Sequence, residues 1–219
     1  MNSRLLFWRF KSAAKFSLLL VSLILLPLVA ISSHAASTIL VYGDSLSAAY
    51  GLSTQQGWVS LMGDRLKTER LPYQVVNASI SGETTAGGLS RLKQTIATQK
   101  PQVMILALGA NDGLRGLPVE TMQQNLTKML ELAKQHNIKV LLVGMRIPPN
   151  YGPQYTQAFH QTFIDLAQQF KIKLVPFLLE NVAGKPALNQ DDGIHPTAEA
   201  QPIILETVWK TLQTMLNKK

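Results

Sequence analysis

Four short segments of this chain carry residue types that could cooperate in nucleophilic catalysis. The apolar run Ile39-Leu40-Val41-Tyr42 stops at Gly43, and Asp44-Ser45 follow at once. A strand that ends this way delivers a side chain to the crevice outside its carboxyl end, where open α/β sheets bind ligands. Ser45 is therefore a candidate nucleophile, although Asp44 and Ser45 are also residue types that cap a following helix. A lone serine is a weak nucleophile and needs a base, a group that orients the base, and donors for the developing oxyanion. Three other apolar runs or turns end in useful residues. They are Asn77-Ala78-Ser79-Ile80-Ser81-Gly82-Glu83-Thr84, Leu108-Gly109-Ala110-Asn111-Asp112-Gly113, and Asp191-Asp192-Gly193-Ile194-His195-Pro196.

The base can be sought by elimination, because there are only four histidines. His34 lies in an amino-terminal leader. His136 follows a helical stretch, where an imidazole suits the helix dipole. His160 sits within a helical pattern beside Phe159, with no acid or glycine turn nearby. His195 has carboxylates three and four residues before it, and Pro196 restricts its backbone to an extended form. A turn from Asp192 to His195 could bring a carboxylate onto one ring nitrogen and leave the other free for Ser45. That is the logic of a nucleophile, base and orienting acid.

These residues need a scaffold, and the chain alternates strand and helix patterns throughout. Strands are expected over Thr38–Tyr42, Tyr73–Ala78, Val103–Leu108, Lys139–Met145 and Lys173–Pro176. Helices are expected from Gly57-Trp58 onward (Trp58, Leu61, Met62 and Leu66 sharing a face), over Thr84–Thr98, from Pro118 to Gln135, over Tyr155–Phe170 and over Thr197–Leu216. Continuous apolar runs such as Val140-Leu141-Leu142-Val143 suit strands buried on both faces of a parallel sheet. Right-handed crossovers then place helices on both faces. The fold class is α/β: a three-layer α/β/α sandwich around a five-stranded parallel sheet. The ends of the first three strands would lie side by side, so that Ser45, Gly82 and Asn111 could face one crevice.

The four segments, in this order, resemble the GDSL, or SGNH, hydrolase family, and in particular its small bacterial periplasmic esterases, thioesterases and lysophospholipases. The matching blocks are Gly43-Asp44-Ser45-Leu46, Ser81-Gly82-Glu83, Gly109-Ala110-Asn111-Asp112 and Asp192-Gly193-Ile194-His195-Pro196. The resemblance spans the chain beyond the leader, and Ala110 stands where relatives often carry glycine. It implies a flavodoxin-like fold and a Ser45–His195–Asp192 triad, with Asp191 off the motif by one position. It also implies an oxyanion hole made of the Ser45 and Gly82 N–H groups and the Asn111 amide. The expected reaction is hydrolysis of a small acyl ester, thioester or lysophospholipid. Carbohydrate O-deacetylation by the same machinery is the alternative, and a non-catalytic secreted binding module a more distant one. Asp44 is expected to shape its turn, Asp112 and Glu83 to be structural or rim residues, and Arg115 to be a solvated loop charge. Leu114, Leu117, Ile147 and Tyr151, on two glycine- and proline-rich loops, are expected to line an acyl groove.

Composition narrows the alternatives. The 219 residues include no cysteine, which removes disulfides, thiolate metal sites and a cysteine nucleophile. No cluster of histidine and carboxylate ligands suggests a metal, and no cofactor is implied. The net charge of +8 is partly local, because Arg4, Arg9, Lys11 and Lys15 lie in the first 35 residues, where there is no acid. Beyond them 17 basic residues face 13 acidic ones, without a basic cluster interleaved with aromatics. A nucleic-acid partner is not expected. Residues 1–35 read as a secretory signal peptide: a basic start, the apolar run Leu18–Ile31, and Ser33-His34-Ala35 as a small-residue cleavage site. That run is shorter than the ~20 residues of a spanning helix. The expected hydrolase domain is 36–219, periplasmic, with secretion or an uncleaved anchor as alternatives. It is expected to act as a monomer, with only transient contact with membrane lipid.

Overall fold

Strand β1 (Ser37–Gly43) pairs in parallel with β2 (Tyr73–Asn77) on one side and with β3 (Val103–Ala107) on the other. Strands β4 (Lys139–Val143) and β5 (Lys173–Val175) complete a parallel sheet of order β2-β1-β3-β4-β5. The computed structural model describes residues 36–217, and the expected leader, 1–35, lies outside the described residues. The helices are α1 (Trp58–Thr68), α2 (Thr85–Gln99), α3 (Ala110–Leu114), α4 (Val119–Gln135), α5 (Pro153–Phe170) and α6 (Gln201–Leu212).

Side chains alternate across each strand, and both faces of the sheet are apolar. Ile39, Val41, Val103, Ile105, Leu141 and Val143 pack against α1 and α6 in one core. Leu40, Tyr42, Met104, Leu106, Val140 and Leu142 pack against α2, α4 and α5 in the other. The expected α/β/α sandwich with five parallel strands is therefore present. Its strand order is the flavodoxin-like one, and the direction of winding reverses between β1 and β3.

Two contacts tie this scaffold to the segment after β1. The indole of Trp58, fully buried, donates to the Leu46 carbonyl at 3.1 Å. The Trp58 amide donates to the Gln201 side chain at 3.0 Å, joining α1 to α6. Of the Gly87-Gly88 pair, which weakens a helix by propensity, Gly88 sits in α2 for a packing reason. The Tyr42 hydroxyl donates to the Gly88 carbonyl at 2.7 Å. A Cβ at Gly88 would lie 2.4 Å from Leu108 Cδ1. The helix can approach the sheet this closely only without a side chain there.

Element ends differ from expectation where short-range chemistry outweighs periodicity. Helix α5 starts at Pro153, two residues early, because proline fits the first turn. Pro118 is the residue before α4 instead of its first residue. The expected helix 197–216 divides into a 3-10 turn at Ala198–Ala200 and α6, which ends at Leu212. Pro202 falls in the first turn of α6, where its missing N–H leaves no bond unmade. Helix α3 was not anticipated, because five residues are too few to show a helical period.

Candidate active site

Ser45 lies just past the end of β1, in a tight turn closed by Ser47 N–H and Ala48 N–H donating to the Asp44 carbonyl at 3.1 and 2.9 Å. The imidazole arrives on a different element. Residues 189–196 form a hairpin turn closed by the Asn189–Pro196 bridge, with Gln190 N–H donating to the His195 carbonyl at 2.7 Å. This turn carries the His195 Nε2 atom to 2.9 Å from Ser45 Oγ. His195 Nδ1 lies 2.6 Å from Asp192 Oδ2. The other Asp192 oxygen accepts the Ile194 and His195 amides, both at 2.9 Å. The His195 amide, then its imidazole, then the Ile194 amide hold the Asp192 carboxyl down at about 2. Asp192 is thus an ionised acceptor that leaves the Nδ1 position to the imidazole proton. Asp191, the competing acid, is exposed.

The other side of Ser45 is built from the ends of β2 and β3. Ile80 N–H donates to the Gly43 carbonyl at 3.0 Å, which extends the β2 end alongside the β1 end. Gly82 follows with φ +77°, a backbone form that favours glycine. Asn111, on α3, joins the segments: its amide donates to the Glu83 carbonyl at 3.1 Å and lies 3.4 Å from Asp44 Oδ2. It therefore touches the neighbour of Gly82 and the neighbour of Ser45 at once. Among the described residues, neither Ser45 N–H nor Gly82 N–H donates to a protein acceptor. Both are available to an anion.

Three further carboxylates support this side. Asp112, buried, accepts from Thr85 N–H at 2.8 Å and Thr85 Oγ1 at 2.5 Å, fastening α3 to the start of α2. Glu83, 7% exposed, is paired with Arg91 through both its oxygens. The Arg91 guanidinium in turn lies 4.1 Å from the Tyr42 ring centre. Asp44 accepts Leu46 N–H at 3.1 Å, as its turn-shaping role requires, and burial pushes its carboxyl up to about 7. Arg115 adds one contact to this side. It is exposed in its loop, as a solvated charge would be, and it also donates to the Gly82 carbonyl at 2.9 Å.

The four groove candidates occupy different settings. Leu117 is 37% exposed, and its carbonyl accepts the Tyr155 hydroxyl at 2.6 Å. Leu114 is half-buried, and its carbonyl accepts the Tyr151 hydroxyl at 2.7 Å. Ile147 is buried in the core, under Gly113 of α3. The loop after α3 is thus tied to the loop after β4 by Tyr151 and to α5 by Tyr155. Two residues beside His195 were missed in the sequence. The Tyr50 ring lies 4.3 Å, centre to centre, from the His195 ring. The Gln190 amide bridges the Tyr50 carbonyl at 2.9 Å and the Pro196 carbonyl at 3.0 Å. Neither belongs to a periodic pattern, and no sequence signal would have found them. Among the described residues, no group of three His, Asp or Glu side chains could hold a metal ion.

A hydrogen-bonded serine–histidine–aspartate row at the β1/β3 reversal of a 2-1-3-4-5 sheet defines a class: α/β/α proteins with the equipment for acyl transfer. Within it, this chain belongs to the GDSL-like Lipase/Acylhydrolase family, which matches residues 41–202. It is similar to "Esterase TesA" of Pseudomonas aeruginosa, 53% identical over 182 residues that cover 83% of this chain and 90% of the relative. It is 41% identical over 192 residues to "Thioesterase 1/protease 1/lysophospholipase L1" of Escherichia coli K12, covering 88% and 91% of the two chains. Among solved structures it resembles the psychrotrophic esterase EstA of Pseudoalteromonas sp., inhibited by monoethylphosphonate. The TM-score is 0.79 and the identity 41%, over 83% of this chain and all of that one.

Proposed function

We propose that this carboxylic ester hydrolase works by acyl transfer to Ser45, with His195 as general base and acid and Asp192 as its orienting carboxylate. The observation that carries the reading is the continuous row from Ser45 Oγ through the imidazole to Asp192, at 2.9 and 2.6 Å. With its proton on Nδ1, His195 presents a lone pair at Nε2 to the serine hydroxyl. Ser45 Oγ attacks the carbonyl carbon, its proton passes to Nε2, and the carbonyl electron pair moves onto oxygen. The imidazolium formed is stabilised by the ionised Asp192. The tetrahedral oxyanion takes hydrogen bonds from Ser45 N–H, Gly82 N–H and the Asn111 amide, whose bond toward Asp44 is the longer of its two. Collapse breaks the bond to the leaving group, which receives the Nε2 proton. Water then repeats the sequence on acyl-Ser45, releasing the acid and restoring the serine hydroxyl.

The relatives' names support simple esters as substrates, with acyl thioesters and lysophospholipids in the same range. In this reading the acyl chain runs along Leu114, Leu117 and Tyr151, with Ile147 supporting them from below. Residues 1–35 act as a secretory signal peptide, and the domain 36–219 works in the periplasm as a monomer. Alkyl fluorophosphonates of increasing chain length test site and groove together. The expected adduct maps to Ser45, forms faster with longer chains, and loses that length dependence in Leu117→Asp. An adduct on another residue refutes the nucleophile, and an unchanged length dependence in Leu117→Asp refutes the groove.

A further inference from the structure

Tyr50 is the most exposed of the large hydrophobic side chains among the described residues, at 51%. A core function therefore does not explain it. Its backbone is nevertheless held with care. Tyr50 N–H donates to the Ser45 carbonyl at 3.2 Å, and the Tyr50 carbonyl accepts the Gln190 amide at 2.9 Å. The residue before it, Ala49, is left-handed at φ +59°, a conformation that costs an L-residue backbone free energy. Gly57 makes room for that turn, because a Cβ there would lie 2.7 Å from Ala49 Cβ. A strained and pinned segment thus holds a half-solvated aromatic ring against His195, with ring centres 4.3 Å apart and planes tilted by 34°.

The position of that ring has a chemical consequence, which rests on the catalytic reading above. His195 Nε2 must hand its proton to the leaving-group atom, so that atom comes within about 3 Å of Nε2. Whatever is attached to it begins beside the ring stacked on the same imidazole. Flat aromatic groups gain from offset or edge contact with a tyrosine ring beyond the area they bury, and alkyl groups do not. We propose that Tyr50 is a leaving-group platform: a specificity-determining residue that favours aryl over alkyl leaving groups, independently of the acyl chain. His195 is positioned separately, by Asp192 and the hairpin turn that Gln190 closes.

The test compares phenyl and trifluoroethyl esters of one acid, using wild type, Tyr50→Phe and Tyr50→Leu. The readout is the ratio of the two kcat/KM values, in which the intrinsic reactivity of each ester cancels between variants. Tyr50→Leu is expected to lower the aryl-to-alkyl ratio by about 2- to 12-fold, the range of an aromatic pair, and Tyr50→Phe to keep it. An equal fall for both esters makes Tyr50 a support for the imidazole and overturns the proposal, as does an unchanged ratio. Product inhibition of the wild-type protein is a second measurement that needs no variant. Phenol is expected to inhibit at lower concentration than cyclohexanol, and equal potency counts against the platform. Fluorophosphonate labelling of Ser45 separates this from failure of the catalytic reading. If Ser45 is still labelled at the wild-type rate in Tyr50→Leu while the ratio is unchanged, only the platform is wrong. If Ser45 is never labelled, the catalytic reading itself is wrong.

Discussion

His195 and Asp192 reach Ser45 from a surface hairpin, whereas Gly82 and Asn111 reach it from a buried, multiply bonded network. The Asp192 side chain is 40% exposed, and its partners all lie within the same turn. On the other side, the Glu83 side chain is 7% exposed, Asp44 and Asp112 are buried, and the bonds link the ends of β1, β2 and β3 to α2 and α3. The difference fits the work the proposed mechanism gives each side. A base must move a proton and needs a short, correct row of atoms, which a local turn supplies. An oxyanion site works through dipoles fixed before the charge appears, and fixed dipoles need a rigid surround. Substitutions on the first side should therefore remove activity and leave stability, and substitutions behind the second should reduce both.

The largest effect is expected for His195→Ala, a fall of about 10⁵- to 10⁶-fold in kcat on p-nitrophenyl esters with thermal stability unchanged. Substantial residual turnover, or a large loss of Tm, would break the contrast. Asn111→Ala comes next, at about 10²- to 10³-fold in kcat, because in the proposed mechanism it removes one donor to the oxyanion. A change confined to KM would place Asn111 outside the transition-state contacts. Asp112→Ala then probes the network behind the site. It strands the buried Thr85 N–H and hydroxyl, and about 3 kcal/mol of stability should be lost in urea titration. A loss as small as that of an exposed pair, under about 1 kcal/mol, would mean the two sides are equally tolerant.

The last effect is a slope. The Asp44 carboxyl is raised by burial to about 7, so between pH 4 and 7 the folded protein holds a proton that the unfolded chain has released. Stability attributable to this group therefore falls as pH rises through that window. Asp44→Asn should make the decline of Tm from pH 4 to 7 shallower than in wild type. Parallel declines in the two proteins would show that Asp44 does not titrate there. Asp192, depressed to about 2, loses most of its contribution only as pH falls below 4, outside this window.

Much of the site was legible in sequence because its residues sit where strands end. The apolar run before Gly43 and the one before Gly109 mark two carboxyl ends, and a parallel sheet puts such ends on one side. Ser45, Gly82 and Asn111 could therefore be placed at one crevice before any contact was known, whereas His195 was singled out by elimination among four histidines and Asp192 by the family motif. Helix α3 was not legible, although it carries Asn111, because one turn leaves no periodic trace. Arg115 read as a loop charge because its partner is the carbonyl of Gly82, thirty-three residues away. Ile147 read as a groove residue because its loop is apolar, and packing against Phe159 and Gly113 put it in the core.

Alternation of strand and helix, the absence of cysteine, and the four blocks with their order were fixed by local chemistry alone. They depend on backbone propensity, side-chain type and nearest neighbours, which a linear chain displays. Tertiary structure decided which groups met. It chose Asp192 over Asp191 for the imidazole, set Tyr50 against His195 by way of a left-handed Ala49, and tied the loops at Leu114 and Leu117 to two tyrosine hydroxyls. Each of those choices joins segments through a hydrogen bond or ring contact whose geometry exists only once both are packed on the sheet.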